Sequence, residues 1–364
     1  SQHLSNNPEQ KLADICFTAN SGRTHMSHRL AVVASNHQEL ITSLNNYNNH
    51  QTTKNLHQGE TENKPKICFL FTGQGSQYQQ MGEKLYQQHP EFKTTVDKCA
   101  AILEPHLNEQ PLLSVLFGEN QHLLQQTGYT QLGIFVIEYA LYQLWQSWGV
   151  KPDVVMGHSL GEYVAATVAG VMSLESALLL VATRGKLMQA LPSNGAMAAV
   201  FAPVEKISPY LNNQNNLVEI AGFNGAQNTV ISGDANAVEQ VCQQLEKAGI
   251  YVHRLSVASG LNSRLMEPML EAFAAVARTI EFKSPQIKFV SNLTGKPIER
   301  VMDADYWCEQ IRRPVQFAQG IEWLNKEGYS CFVEIGAHPI LSGMAQKIVA
   351  DSNYNFLPSF RRED

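Results

Sequence analysis

The chain has 364 residues, 44% of them hydrophobic, and a net charge of −6. This length is too great for one small core and predicts one large domain with a smaller one attached. Its basic and acidic residues are interspersed without a basic stripe, so nucleic acid is not an expected partner. The start at Ser1-Gln2-His3 is typical of a segment cut from a longer protein.

The spacing of the cysteines and the length of the apolar segments predict where in the cell the protein is found. The six cysteines have neither a C-x-x-C pair nor zinc-ligand spacing, which is typical of reduced thiols in a cytoplasmic protein without a metal site: Cys16, Cys68, Cys99, Cys242, Cys308 and Cys331. The longest apolar region, residues 164–182, is interrupted by Gly170, Ser173 and Glu175. We therefore expect two core helices there and no membrane span.

The first 64 residues differ in composition from the rest. Residues 12–44 predict a helix, a strand at 29–34 and a second helix, which together make an adaptor and not a domain. Residues 45–64 are rich in Asn, Gln, Thr and Glu and have almost no apolar side chains. Such a segment cannot bury enough surface to order itself independently, so we predict a linker.

Strand and helix patterns alternate from residue 66 onward. Buried strands are predicted at 66–71, 154–156, 288–291 and 331–335. Alternation with helices favours a parallel sheet covered on both faces. Between residues 196 and 257 the order becomes β-α-β-β-α-β, which is typical of a ferredoxin-like domain. The predicted fold class is α/β, with an α/β-hydrolase-like large domain and an inserted ferredoxin-like subdomain.

One motif carries a candidate nucleophile. The sequence Gly157-His158-Ser159-Leu160-Gly161 follows a predicted strand and precedes a helix-forming stretch. This is the pattern of a nucleophile elbow, in which small residues permit a tight turn that exposes the serine hydroxyl. The amide of Leu160 opens the helix and could donate to an anionic oxygen beside Ser159.

A second glycine-rich turn follows the first predicted buried strand. Gly73 and Gly75 flank Gln74 and free the backbone to direct its N–H groups toward a ligand. A merely flexible turn is the alternative interpretation of this motif.

A serine nucleophile needs a base, which is usually histidine. Among the twelve histidines, His158 adjoins the serine and is predicted to point away along the turn as a structural residue. His253 lies in an alternating strand. His338 follows a strand and suits the serine, acid, histidine order of α/β hydrolases, although a histidine between glycine-alanine and proline is often a turn residue. The residues alone thus indicate a nucleophile without a secure base.

Four segments together carry a family resemblance. These are FTGQGSQ at 71–77, GHSLGEY at 157–163, RGKLMQ at 184–189 and LMEPML at 265–270. In combination they closely resemble the acyltransferase domains of modular polyketide synthases, relatives of malonyl-CoA:acyl carrier protein transacylase. The resemblance implies a ketosynthase-to-acyltransferase linker at 1–64, a large subdomain at 65–195 and 258–355, a small one at 196–257, and the start of a following linker at 356–364.

The resemblance also implies roles for residues of the first three of these segments. Ser159 matches the serine that carries the acyl group, and the amides of Gln74 and Leu160 match the oxyanion hole. Arg184 matches the arginine that binds the free carboxylate of malonyl or methylmalonyl, a role that suits a planar two-donor guanidinium. From composition alone, Arg184 would be taken for a solvated helix residue.

Three further positions match polar residues of the family. Gln131 and Asn224 match positions that line the substrate cleft, and Gln310 matches one whose backbone orients the catalytic histidine. That histidine is replaced here by Asn262. The family has His-Ala-Phe-His in malonyl-selective domains and Tyr-Ala-Ser-His in methylmalonyl-selective ones, whereas this chain has Ser-Gly-Leu-Asn at 259–262. An amide cannot exchange a proton near neutral pH.

The asparagine at position 262 has several possible explanations. The domain could be a degenerate one retained for its shape, an active one in which water or another group accepts the proton, or one with an asparagine introduced to trap an acyl-enzyme. Retention of Ser159, Gln74 and Arg184 favours a domain that still loads acyl groups. Leu261 replaces the residue that gates the α-substituent, so acyl selectivity is not predicted. The rivals are a serine thioester hydrolase that uses His338 and a non-catalytic docking module.

The resemblance further implies partners. Acyl-CoA is the expected donor, and the phosphopantetheine arm of an acyl carrier protein is the expected acceptor. Adjacent ketosynthase and other synthase domains are expected in the same polypeptide. No bound cofactor, metal or membrane is expected.

Overall fold

The computed structural model describes residues 1–60, 63–107, 109–212, 215–257, 259–349 and 354–362. The chain divides into two compact units, Ser1–Pro65 and Lys66–Asp364. Each unit is described separately below.

The first unit is a small α/β element. Its helices are α1 (Gln2–Asn6), α2 (Leu12–Ser21) and α3 (His37–Asn48), and its strands are β1 (His28–Val32) and β2 (Leu56–Glu60). The two strands pair antiparallel along their whole length.

Strand β2 lies inside residues 45–64, the segment that is predicted not to order itself independently, and its order comes from another segment. The physical reason is that main-chain pairing with β1, and not apolar burial, orders it. The Asn55 side chain adds to this pairing, because its Nδ2 atom donates to the Val33 carbonyl at 2.8 Å and to Ser43 Oγ at 2.8 Å.

The second unit contains the following elements. Its strands are β3 (Ile67–Phe71), β4 (Val154–Gly157), β5 (Gly195–Val200), β6 (Val218–Gly225), β7 (Asn228–Asp234), β8 (Val252–Arg254), β9 (Lys288–Val290), β10 (Cys331–Ile335) and β11 (Asn355–Pro358). Its helices are α4 (Glu83–Gln88), α5 (Pro90–Leu103), α6 (Leu112–Leu116), α7 (Thr127–Ser147), α8 (Gly161–Val168), α9 (Leu174–Gln189), α10 (Val204–Asn212), α11 (Ala235–Lys247), α12 (Glu267–Ala277), α13 (Ala304–Arg312), α14 (Phe317–Lys326) and α15 (Leu341–Val349).

A parallel sheet forms the centre of this unit, as the alternation of strands and helices predicts. Among the described residues it has the order β11-β10-β3-β4-β9, and each neighbouring pair is parallel. Its inner strands are apolar and buried because helices cover both faces. Strand β11 spans residue 355, where the predicted large subdomain ends and the following linker begins.

A second sheet lies between β4 and β9 in the chain. Its described strands are antiparallel in the order β6-β7-β5-β8, and α10 and α11 supply the side chains of a separate apolar core, including Ile207 and Val241. The chain order β5-α10-β6-β7-α11-β8 is the ferredoxin-like order that the sequence predicts.

Two helices that carry candidate site residues begin at side-chain caps. Ser173 Oγ accepts a hydrogen bond from the amide of Ser176 at 3.1 Å at the start of α9, and Asp303 accepts from the amide of Tyr306 at 3.0 Å at the start of α13. No helix in the described part of the chain combines the length and the apolar character needed to cross a membrane.

Candidate active site

The serine of the GHSLGEY motif lies in a tight turn between β4 and α8. Ser159 has a φ of 52°, in the left-handed region that non-glycine residues rarely adopt. A Cβ atom on Gly157 would lie 2.2 Å from the Glu162 amide nitrogen, and one on Gly161 would lie 2.2 Å from the Phe71 carbonyl oxygen. Both positions therefore require glycine, which is the close approach that the motif predicts.

Two side-chain amides bind the backbone of this turn. Asn292 Oδ1 accepts from the Ser159 amide at 2.7 Å, and Asn292 Nδ2 donates to the Gly157 carbonyl at 2.6 Å. Gln310 Nε2 donates to the Ser159 carbonyl at 2.7 Å. Sequence reasoning missed Asn292, although a partial signal existed: it lies two residues after the end of β9, and parallel strands end at one edge of a sheet.

The glycine-rich turn after β3 lies beside the serine. Gln74 and Ser159 line the same cavity. Gln74 Oε1 accepts a hydrogen bond from Gln131 Nε2 at 3.2 Å, so the structure brings these two predicted residues together. Within the described ranges, the amide nitrogens of Gln74 and Leu160 donate to no protein acceptor. Both amides are thus available to a ligand oxygen.

Arg184 is buried on α9, with an exposed fraction of 1%. Its Nη2 atom lies 3.4 Å from Ser159 Oγ, and its guanidinium lies 5.4 Å from the centre of the Tyr163 ring. Its Nε and Nη1 atoms have no hydrogen-bond partner in the part of the chain described. Burial lowers the pKa of the guanidinium, because desolvation penalises its charge. The composition-based expectation of a solvated residue is therefore wrong.

Asn262 is also buried, at 5% exposed, and has a left-handed φ of 52°. Its Nδ2 atom donates to the carbonyls of Gln310 at 3.0 Å and Arg313 at 2.9 Å. Both amide hydrogens are thereby used, and Oδ1 is left as an acceptor at the cavity that Asn262 shares with Ser159.

The histidines are placed differently from one another. His158 lines the cavity, and its Nε2 atom lies 2.9 Å from Asn224 Oδ1, so the prediction that it points away is wrong. Burial lowers the pKa of His158. His338 is exposed, does not line the cavity and accepts from the Arg362 amide at 3.5 Å through Nδ1. His253 is exposed on β8.

The cavity has a volume of about 350 Å³ and lies between the parallel sheet and the ferredoxin-like sheet. Besides Ser159 and Asn224, its walls are mostly apolar and come from the ferredoxin-like sheet, from the turns after β3 and β4, from α15 and the residue before it, and from the segment before Asn262; they include Met197, Ala199, Val230, Leu261, Ile340 and Met344. Its position therefore matches the predicted cleft between the large and small parts of the molecule. Among the described residues, no group of three or more His, Cys, Asp or Glu side chains could hold a metal ion.

Comparison with known families decides the class of this site. Residues 68–364 match the model described as "Acyl transferase domain", and residues 1–44 match one described as "CurL-like, PKS C-terminal". The chain belongs to the acyl transferase domain family. The acyltransferase is 39% identical over 351 residues to the phenolphthiocerol synthesis polyketide synthase type I Pks15/1 of Mycobacterium marinum. The match covers 96% of this chain and 16% of that protein, so this chain spans a small part of its curated relative.

Solved structures give the same assignment. The acyltransferase domain from the second module of the salinomycin polyketide synthase is 37% identical, with a TM-score of 0.88, and the match covers 100% of this chain and 85% of that one. The malonyl CoA-acyl carrier protein transacylase from Clostridium perfringens is 28% identical, with a TM-score of 0.74, over 80% of this chain and 92% of that one. This chain is thus a polyketide-synthase-type acyltransferase domain related to the transacylases.

Proposed function

We propose that this acyltransferase loads a malonyl-type carboxyacyl group from CoA onto Ser159 and transfers it to the phosphopantetheine thiol of an acyl carrier protein. The observation that carries the proposal is the position of Arg184, a buried guanidinium beside the Ser159 hydroxyl with two nitrogens that lack a hydrogen-bond partner among the described residues.

A buried charge without a partner is costly unless a ligand supplies the partner. The planar guanidinium offers parallel N–H donors that match a carboxylate. A malonyl-type group has a carboxylate two bonds from the reacting carbonyl, so binding it to Arg184 would place that carbonyl near Ser159 Oγ. A simple acyl group such as acetyl has no carboxylate to bind the guanidinium. The geometry therefore favours carboxyacyl donors.

The first step is an attack by Ser159 Oγ on the thioester carbonyl. A C–O bond forms, the hydroxyl proton leaves to water, and the amides of Gln74 and Leu160 stabilise the negative oxygen of the tetrahedral intermediate. Collapse of this intermediate breaks the C–S bond and releases CoA as its thiolate, which takes up a proton. An oxyester on Ser159 remains.

In the second step the phosphopantetheine thiolate of the carrier protein attacks the same carbonyl and forms a C–S bond, the C–O bond to Ser159 breaks, and Oγ regains a proton from water, so the scheme is ping-pong. It requires no bound cofactor, since CoA and the phosphopantetheine arm are substrates. The match of residues 1–44 to a polyketide synthase model supports a ketosynthase and other synthase domains as neighbours in the same polypeptide.

Asn262 gives this site its atypical character. Its amide hydrogens are occupied by the Gln310 and Arg313 carbonyls, so Oδ1 can accept from the Ser159 hydroxyl and orient it, but cannot remove its proton. Loss of a general base costs roughly 10²–10⁴-fold in rate. We therefore expect slow acylation.

Asn262 also favours a second candidate, a catalytically impaired docking module that binds a carrier protein without becoming acylated. A serine thioester hydrolase has less support, because His338 is exposed and lies outside the cavity lining.

Intact-protein mass measured after incubation with malonyl-CoA, methylmalonyl-CoA or acetyl-CoA separates these candidates. The proposal expects a malonyl-type mass gain in the wild type that is absent in Ser159→Ala and faster in Asn262→His. No gain in the wild type, together with a gain in Asn262→His, supports the docking module. Rapid loss of the acyl mass to water that His338→Ala prevents supports the hydrolase. An acylated Ser159→Ala protein refutes all assignments to this serine.

A further inference from the structure

The turn at Ser159 has backbone groups that ordinary secondary structure does not satisfy. Its left-handed φ takes the chain abruptly out of β4 and into α8, so the Gly157 carbonyl and the Ser159 amide are bound by a side chain, and the Ser159 carbonyl is bound by both a side chain and a main-chain amide of α8. Buried backbone groups need partners, and an orphaned one costs about as much as a lost hydrogen bond. The partners of these groups therefore fix the conformation of the turn.

Asn292 supplies the partners of two of these three groups. Through Nδ2 it donates to the Gly157 carbonyl at 2.6 Å, and through Oδ1 it accepts from the Ser159 amide at 2.7 Å. One rigid amide thus spans the residues on either side of His158. The third group, the Ser159 carbonyl, accepts from Gln310 Nε2 at 2.7 Å and from the Glu162 main-chain amide at 3.1 Å.

The backbone of Asn292 is held by a network of buried side chains. Glu162 Oε1 accepts from the main-chain N–H of Asn292 at 2.8 Å and from the Tyr306 hydroxyl at 2.5 Å. The Tyr306 hydroxyl also lies 2.7 Å from Ser291 Oγ. Asn292, Glu162, Tyr306 and Ser291 are each at most 1% exposed, so water does not compete for these bonds.

We propose that Asn292 is a positioning residue that holds Ser159 in its reactive conformation, with Glu162 and Tyr306 as its anchor; this rests on the proposed role of Ser159 as the acylated residue. Asn292 reaches the serine only through backbone atoms, so it acts on the position of Oγ relative to Arg184 and to the amides of Gln74 and Leu160.

Position matters because the attacking oxygen must lie close to the carbonyl and in line with it. A displacement of about 1 Å can reduce the rate roughly 100-fold. Relaxation of the left-handed Ser159 toward an ordinary φ would move Oγ by a distance of this order. Loss of Asn292 is thus expected to lower the maximal acylation rate while leaving the affinity for acyl-CoA largely unchanged.

The test compares Asn292→Ala and Asn292→Asp with the wild type, and uses Asn236→Ala, a change at an exposed asparagine of α11, as a matched control. Asn292→Asp keeps the acceptor for the Ser159 amide and loses the donor to the Gly157 carbonyl. Two rates are measured at a temperature below the melting temperature of each variant, and each rate is divided by the concentration of folded protein. These are acylation by malonyl-CoA over a range of concentrations, and labelling of Ser159 by a fluorophosphonate, which releases fluoride and needs no acyl-CoA.

We expect the maximal rates of acylation and of labelling to fall roughly 100-fold in Asn292→Ala and by less in Asn292→Asp, with half-saturating malonyl-CoA little changed. Unchanged rates per folded molecule in both variants would refute the inference and leave the proposed function intact. Labelling of the wild type without acylation would refute the proposed function, and the labelling rates would still test Asn292. A wild type that reacts with neither reagent would show that Ser159 is not held in a reactive conformation.

Discussion

Arg184 Nη2 lies 3.4 Å from Ser159 Oγ, which joins the one buried arginine of the described core to the serine of the tight turn. A cation at this distance stabilises negative charge on the serine oxygen. Its Nε and Nη1 atoms, which have no hydrogen-bond partner in the described ranges, can bind a second anionic group. One side chain can thus bind a substrate carboxylate and favour attack on the carbonyl beside it.

Replacement of Arg184 by alanine should change the choice of acyl donor. Both donors lose the cation beside Ser159 Oγ, but only malonyl-CoA also loses a hydrogen bond between charged groups, which is worth about 1.5–3 kcal/mol, so acylation by malonyl-CoA should fall roughly 10-fold to 100-fold more than acylation by acetyl-CoA. The measurement is the ratio of the two acylation rates, which does not depend on the fraction of folded protein. Lys186→Ala, an exposed cation on the same helix, is the control and should keep the wild-type ratio.

The pH dependence of acylation should show that Asn262 does not titrate. In the wild type we expect the rate to rise steadily with pH across the neutral range, because solvent must take the serine proton. In Asn262→His the rate should reach a plateau above about pH 6.5, the ordinary pKa of histidine. Initial rates measured between pH 6 and 9 check this. A plateau in the wild type that disappears in His158→Asn would instead assign proton transfer to His158.

Much of this site could be predicted because its residues belong to contiguous motifs. The turn at Ser159 followed from the strand, the two glycines and the helix that surround it. The parallel sheet and the ferredoxin-like order followed from strand and helix periodicity. Such signals are local, and the physical constraint they reflect, the close approach at Gly157 and Gly161, is local as well.

The parts that could not be predicted depend on contacts between distant segments. Asn292 is 133 positions from Ser159, and no pattern of spacing pairs its amide with that backbone. The burial of Arg184 and the partial ordering of residues 45–64 likewise depend on what packs or pairs against them, which local composition does not record. His158 was misplaced because the direction of a side chain in a left-handed turn depends on the fold.

The stability of the protein should depend on pH through Glu162. Burial raises the pKa of its carboxyl from 4.5 to about 7 in the folded protein. The folded state therefore binds this proton more tightly than the unfolded state, so the contribution to stability is fully present below pH 4.5 and is lost as pH rises through about 7. The full loss is on the order of 3 kcal/mol.

Urea unfolding at pH 5.5 and pH 8.0 measures this contribution. In Glu162→Gln the free energy of unfolding should fall less between the two pH values than it does in the wild type, because the amide does not titrate. Glu205→Gln, at an exposed position of α10, should follow the wild type. Equal pH dependence in wild type and Glu162→Gln would contradict the assignment.

The close approach at Gly161 should make this position intolerant of any side chain. A Cβ atom there would lie 2.2 Å from the carbonyl oxygen of Phe71, the last residue of β3, and 2.4 Å from that of Thr72, the next residue. Neither can move without displacing the central sheet, so Gly161→Ala should lower the free energy of unfolding by more than about 4 kcal/mol, in the range of exceptional core substitutions.

Gly343→Ala in α15 is the matched control, since a Cβ there meets no atom within 4 Å and a helical alanine is favoured over glycine by roughly 0.5–1 kcal/mol. Thermal and urea unfolding of the two variants should therefore shift in opposite directions, and a Gly161→Ala protein as stable as the wild type would show that the turn at Ser159 does not need the close approach seen here.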